Sequence, residues 1–159
     1  MSKVQTVDVT LIDDLLAQAS TAPRLRKNLN FHERESHPCQ RLLNAIVPGS
    51  YVRPHRHTRE NKEEFMIVVK GCLGVLLFDA QGAVTAKMKL AENGPVRAVS
   101  IPTGVYHTAV ALQPTVIFEA KGGPYAPHLP EELADFAPAE GSDAARDYLR
   151  QMEAWLADA

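Results

Sequence analysis

The sequence predicts an all-β core, an antiparallel sandwich or small barrel, with one short helix at each end. Two observations carry this. From Gln40 to Lys121 short apolar runs alternate with glycine- and proline-containing turns, and no strand pattern alternates with a helical one as in a doubly wound parallel sheet. Helical spacing of apolar residues is confined to the two termini.

The elements follow in order. Thr10 and Asp13 form a capping box ahead of Leu15 and Leu16, predicting a helix over about residues 10–20 that Pro23 stops. Arg24 to Pro38, with Asn28, Asn30, His32 and His37, reads as an ordered loop or extended arm. Strands are expected at 40–47, 51–57, 63–70, 72–78, 83–90, 97–101, 105–112 and 115–121, separated by Pro48-Gly49, the charged loop 58–62, Gly71, Asp79 to Gly82, Asn93-Gly94 and Pro102 to Gly104. Gly122-Gly123-Pro124 ends the sheet. Ser142 then stands ready to cap a last helix with Tyr148, Leu149, Met152, Trp155 and Leu156 on one stripe. The chain thus divides into a helix and arm (1–39), a barrel (40–121) and a Pro-rich segment with a helix (122–159), all one domain.

Composition narrows the function classes. Seventeen basic and nineteen acidic residues give a net charge of -2, without the basic excess of a nucleic-acid or membrane-surface binder. Cys39 and Cys72 are too few for a disulfide scaffold and suit a reducing, cytoplasmic setting. Met1 to Asp14 meets four charged side chains before any long apolar run, so no secretory signal is expected. Residues 98–118 carry no formal charge, but Pro102, His107 and Pro114 interrupt them; they read as two buried strands around a turn, not a membrane span.

Chemistry concentrates in Pro54-His55-Arg56-His57. Side chains two apart on a strand share a face, so His55 and His57 can hold one ion together. Glu64 follows after a polar loop, where a hairpin returns it to the histidines, and His107 ends the turn Pro102-Thr103-Gly104-Val105-Tyr106. A lone His-x-His is common by chance. Three imidazoles and one carboxylate on strands of one small β domain make a first shell for a divalent transition metal. In strand phase with the histidines lie Tyr51 and Arg53, with Glu64 Met66 and Val68, and with His107 Ala109 and Ala111. These predict a pocket with an apolar wall, in which Arg53 holds an anionic group and Tyr51 can give a proton.

Gly49-(five residues)-His55-Arg56-His57-(six)-Glu64-(six)-Gly71 resembles the first cupin motif, and Pro102 to His107 the core of the second. Arg26 to Asn30, Gln40 to Ala45, Pro48 to His57 and Phe118 to Tyr125 together resemble the WbuC-type cupin-fold metalloproteins, over about residues 5–130. The resemblance implies a jelly-roll barrel with one divalent metal (Fe, Zn, Mn or Ni) held in its mouth by His55, His57, Glu64 and His107. Two departures stand out: the loop before Glu64 is longer than in most cupins, and Ala111 stands where an asparagine is common.

The resulting expectation is a metalloenzyme, a dioxygenase or a metal-assisted isomerase, acting on a small oxygenated anionic metabolite. The WbuC resemblance adds a nucleotide-sugar epimerase or isomerase of surface polysaccharide biosynthesis as an alternative. A non-catalytic small-molecule binder is the third class. Phe65, Ile67, Val69, Val110 and Leu112 form an apolar outer face that needs a cover, either the terminal helices or a second copy in a homodimer, as in many cupins.

Overall fold

A computed structural model describes residues 4–159. Residues 1–3, at the head of the region read for a leader, lie outside the described residues.

The expected β core is present. Eight strands run from β1 (Arg26–Asn30) through β2 (Cys39–Ile46), β3 (Glu64–Lys70), β4 (Cys72–Phe78), β5 (Val84–Ala91), β6 (Ala98–Ile101) and β7 (Tyr106–Ala111) to β8 (Thr115–Gly122). They form a five-stranded sheet, β1-β2-β8-β3-β6, facing a three-stranded sheet, β5-β4-β7. All strand pairs are antiparallel, as in a jelly roll.

The alternation of each strand decides what fills the inside. Met66, Val68, Leu73, Val75, Leu90, Ala109, Ala111 and Ile117 form the central apolar cluster between the sheets. The opposite faces are covered by the helices. On α1 (Val9–Thr21), Ile12, Leu15 and Ala19 pack on Leu43, Ala45 and Val116. On α2 (Asp143–Leu156), Ala145, Leu149, Met152 and Leu156 pack on Leu76, Phe78 and Val110. Val69 and Leu112 lie under these covers too, while Phe65 stays 45% exposed.

Three local readings change. α1 starts at Val9, because Asp8, and not Thr10, is its cap: its carboxylate accepts from the Leu11 amide at 2.9 Å. The arm contains strand β1, which pairs Asn28 with Asn44 on β2. Residues 51–57 are extended but form no ladder strand. They touch β7 at one bridge, His55 to His107, and the strap 128–134 on the other side, through Arg56 N to Glu132 O at 2.8 Å and Ala134 N to Pro54 O at 3.0 Å. Pro54 has no N–H for a ladder, so this edge stays irregular.

Candidate metal centre

His107 is placed by β7, and the turn before it depends on Gly104, whose φ of +88° suits glycine and whose amide donates to His57 O at 2.8 Å. That bond ties the His57 backbone to the turn feeding His107. The pair His55 N to His107 O (3.0 Å) and His107 N to His55 O (2.8 Å) fixes the other histidine of the motif. Glu64 opens β3, inward-facing and buried. One ligand atom from each of His55, His57, Glu64 and His107 lies within 4.8 Å of all the others.

The proton positions fit a metal. The Nδ1 atoms of His55 and His107 each lie 2.9 Å from a carbonyl, of Arg53 and Val105. A carbonyl only accepts, so each Nδ1 carries the proton and each Nε2 is free to bind an ion. His107 Nε2 nevertheless lies 3.0 Å from Glu64 Oε2. A neutral ring has one proton and cannot donate to both neighbours. A cation in place of the second proton would satisfy both. His57 Nε2 is buried without a hydrogen-bond partner among the described residues, 3.5 Å from the same Glu64 oxygen. Burial, and then neighbouring His107, hold His55 well below the usual imidazole range, so it stays neutral as a ligand must.

The carboxylate is set by its own neighbours. Burial opposes its ionisation, but the neighbouring Glu119, His107 and His57 and the charge of Lys121 outweigh this and hold Glu64 well below the usual range. Lys121 Nζ lies 3.3 Å from Glu64 Oε1 and 2.9 Å from Glu119 Oε1. Burial, then the charge of Glu64 and the hydrogen bond to it, push Glu119 above the usual carboxylate range. One cavity therefore holds two neighbouring carboxyls shifted in opposite directions.

That cavity, of about 370 Å³, runs from the cluster to the β1–β2 end of the barrel. Met66 and Ala109 line it as expected from strand phase. Tyr51 and Arg53 do not, and their expected pocket roles are corrected. The Tyr51 hydroxyl donates to Pro138 O at 2.8 Å among the residues under α2, and burial raises its pKa, so it is no proton donor to the cavity. Arg53 donates to Ala134 O from Nη2 at 2.7 Å. The physical reason is the irregular segment: Val52 and His55, three residues apart, both reach the cavity, so the two-residue phase fails between them.

The structure adds residues that the sequence reading left unassigned. Glu119 and Lys121 alternate with outward Phe118 and Ala120 on β8, a phase visible in the sequence once β8 faces the cavity. His128, on the strap, stacks on His57 with ring centroids 5.2 Å apart and lies 4.5 Å from the His55 ring. Its Nδ1 is 3.8 Å from Glu132, a buried carboxylate that accepts from Thr58 N, Thr58 Oγ1 and Leu129 N. No sequence signal ties His128 to the motif, because only the tertiary strap brings it there.

A jelly roll with a His/Glu cluster at one end of its interior is a cupin fold, and known structures agree. KdgF from Halomonas sp. is 21% identical with a TM-score of 0.51, covering 67% of this chain and 85% of its own. A salicylate 1,2-dioxygenase variant from Pseudoaminobacter salicylatoxidans, in complex with gentisate, is 12% identical with a TM-score of 0.55, covering 74% of this chain and 33% of its own. An oxalate decarboxylase variant from Bacillus subtilis is 15% identical with a TM-score of 0.51, covering 69% and 28%. At these identities the likeness is one of fold. The chain belongs to the family described as "Domain of unknown function (DUF6016)", which matches residues 7–90. No curated protein matches the sequence. Among the described residues no helix is long and apolar enough to cross a membrane.

Proposed function

We propose that this protein is a metal-dependent enzyme acting on a small oxygenated anionic metabolite, with His55, His57, Glu64 and His107 as ligands of one divalent transition metal. The observation that carries the proposal is the convergence of those four donors, three of which line the end of a cavity that Glu119 and Lys121 also line. A divalent ion with four protein ligands keeps open positions and supplies Lewis-acid polarisation of a bound oxygen.

The other residues favour proton transfer, as in a metal-assisted isomerase, over oxygen insertion. Glu119, raised above the usual carboxylate range, can give a proton to substrate or take one back, and Lys121 orients it from 2.9 Å. The strap carrying His128 and Leu133 covers the side of the histidines away from the cavity and keeps water from them. A cavity of about 370 Å³ is near the lower end for ligand sites and suits a small acid better than a nucleotide sugar.

The runs that resemble WbuC-type cupins supply Asn28, Asn44, Glu119 and Lys121 to the cavity, and that resemblance is what keeps a nucleotide-sugar epimerase or isomerase as the alternative. Pairing of two copies through the surface that exposes Phe65 belongs to this proposal and is read by analytical ultracentrifugation.

The test is to incubate metal-loaded protein with a panel of small hydroxy and keto acids in D₂O. Deuterium appearing at carbon next to the carboxylate or carbonyl, and lost in Glu119→Gln while metal stays bound, is the expected result. A metal-loaded protein that exchanges none of them sinks proton transfer and leaves oxygen chemistry or a non-catalytic binder.

A further inference from the structure

The end of the cavity away from the histidines has a chemistry of its own. β1 and β2 form its wall, with Asn28 and Asn30 two residues apart on one strand and Asn44 directly opposite Asn28. Asparagine is a poor strand former, and the equivalent inner faces of β4 and β7 carry Leu73, Val75, Ala109 and Ala111. Three inward asparagines do nothing for the apolar core.

They are also the polar groups of this wall that the fold leaves unused. Arg26 is taken up by Ser50 Oγ, the Tyr51 carbonyl and Glu140. Gln40 donates to the carbonyls of Glu35 and His37, and His32 Nδ1 meets the Arg41 backbone. Among the described residues, no protein group hydrogen-bonds the carboxamides of Asn28, Asn30 or Asn44, and Asn44 Oδ1 is buried with no partner. A buried polar atom left alone costs about 1–3 kcal/mol, which a ligand at this wall removes.

The type of group follows from the donors and acceptors. A carboxamide offers both, as does a hydroxyl, whereas a second anionic group calls for a free cation. Arg26, the buried cation of this wall, with Nη2 2.7 Å from Glu140 Oε1, and Arg24, which also lines the cavity, share the Glu140 carboxylate, so neither is left without an acidic partner. We propose that the Asn28–Asn30–Asn44 wall is a subsite for the hydroxyl groups of a polyhydroxylated acid, whose carboxylate end lies at the His/Glu cluster. The inference deepens the metal-enzyme reading and rests on it for the orientation of the acid.

The experiment is calorimetric titration with D-gluconate and with hexanoate, acids of equal chain length with and without hydroxyls. It uses zinc-loaded and metal-stripped protein, the Asn28→Ala/Asn30→Ala double variant and Asn44→Ala. Asn28 and Asn30 are solvent-accessible strand positions, so the double variant tests the wall without disturbing the core, and thermal melting checks both variants. The expected result is gluconate binding about 10-fold or more tighter than hexanoate, falling to the hexanoate level in folded variants whose zinc affinity is unchanged. Equal binding of the two acids, no gluconate binding, or gluconate binding indifferent to the asparagines overturns the subsite. A protein that takes up none of zinc, iron, manganese or nickel sinks the metal reading separately, and asparagine-dependent gluconate binding by that protein still upholds the subsite.

Discussion

Glu64 and His107 meet inside the barrel with Oε2 3.0 Å from Nε2, although the proton of the His107 ring is committed to the Val105 carbonyl on its other side. The contact makes sense as two neighbouring ligands of one ion. Replacing Glu64 by Gln keeps the shape and removes the charge. We expect Glu64→Gln to weaken divalent-metal binding by about 10-fold or more, measured by competition with a chromophoric chelator. Unchanged affinity would remove Glu64 from the ligand set.

The strap is predicted to weaken at acid pH through Glu132. Burial would raise this carboxyl, but hydrogen bonds from the Thr58 and Leu129 amides and the Thr58 hydroxyl, with the charge of His128, hold it down to about 2. A depressed folded pKa stabilises the protein above the unfolded value of about 4.3, and that contribution is lost as pH falls toward 2. In metal-stripped protein, the melting-temperature gap between wild type and Glu132→Gln should therefore narrow between pH 4.5 and 2. A gap that stays constant across that window would contradict the assignment.

Helix α2 is predicted to be part of the fold and not a detachable arm. Leu156 is fully buried, and a Cβ at Gly74 on β4 would stand 2.3 Å from its Cδ1. Leu156→Ala should cost about 2–5 kcal/mol of unfolding free energy in denaturant titrations. Gly74→Ala should also destabilise, by pushing α2 from the sheet, and combining it with Leu156→Ala should cost less than the sum of the two. Additive losses would mean that the two residues do not share one space.

Much of this was legible in the sequence because the core strands follow simple alternation. Met66, Val68, Ala109 and Ala111 face inward as their spacing from Glu64 and His107 predicts. Strand β1 was not legible: Arg-Lys-Asn-Leu-Asn has no apolar alternation, since its inner face lines a cavity and only Leu29 packs under α1. Tyr51 and Arg53 were misplaced for the opposite reason, a regular period applied to a segment that Pro54 keeps out of the ladder. Glu119 resembles any strand carboxylate until β8 is seen between β2 and β3, which brings it beside Glu64.

The account stands or falls on the ion. The most direct measurement is the metal content of protein purified without chelators, by plasma mass spectrometry, beside the His55→Ala/His107→Ala double variant. The account predicts about one equivalent of a divalent transition metal per chain in the wild type and none in a folded double variant. A wild-type protein that carries no metal and takes up none of iron, zinc, manganese or nickel on titration would contradict it.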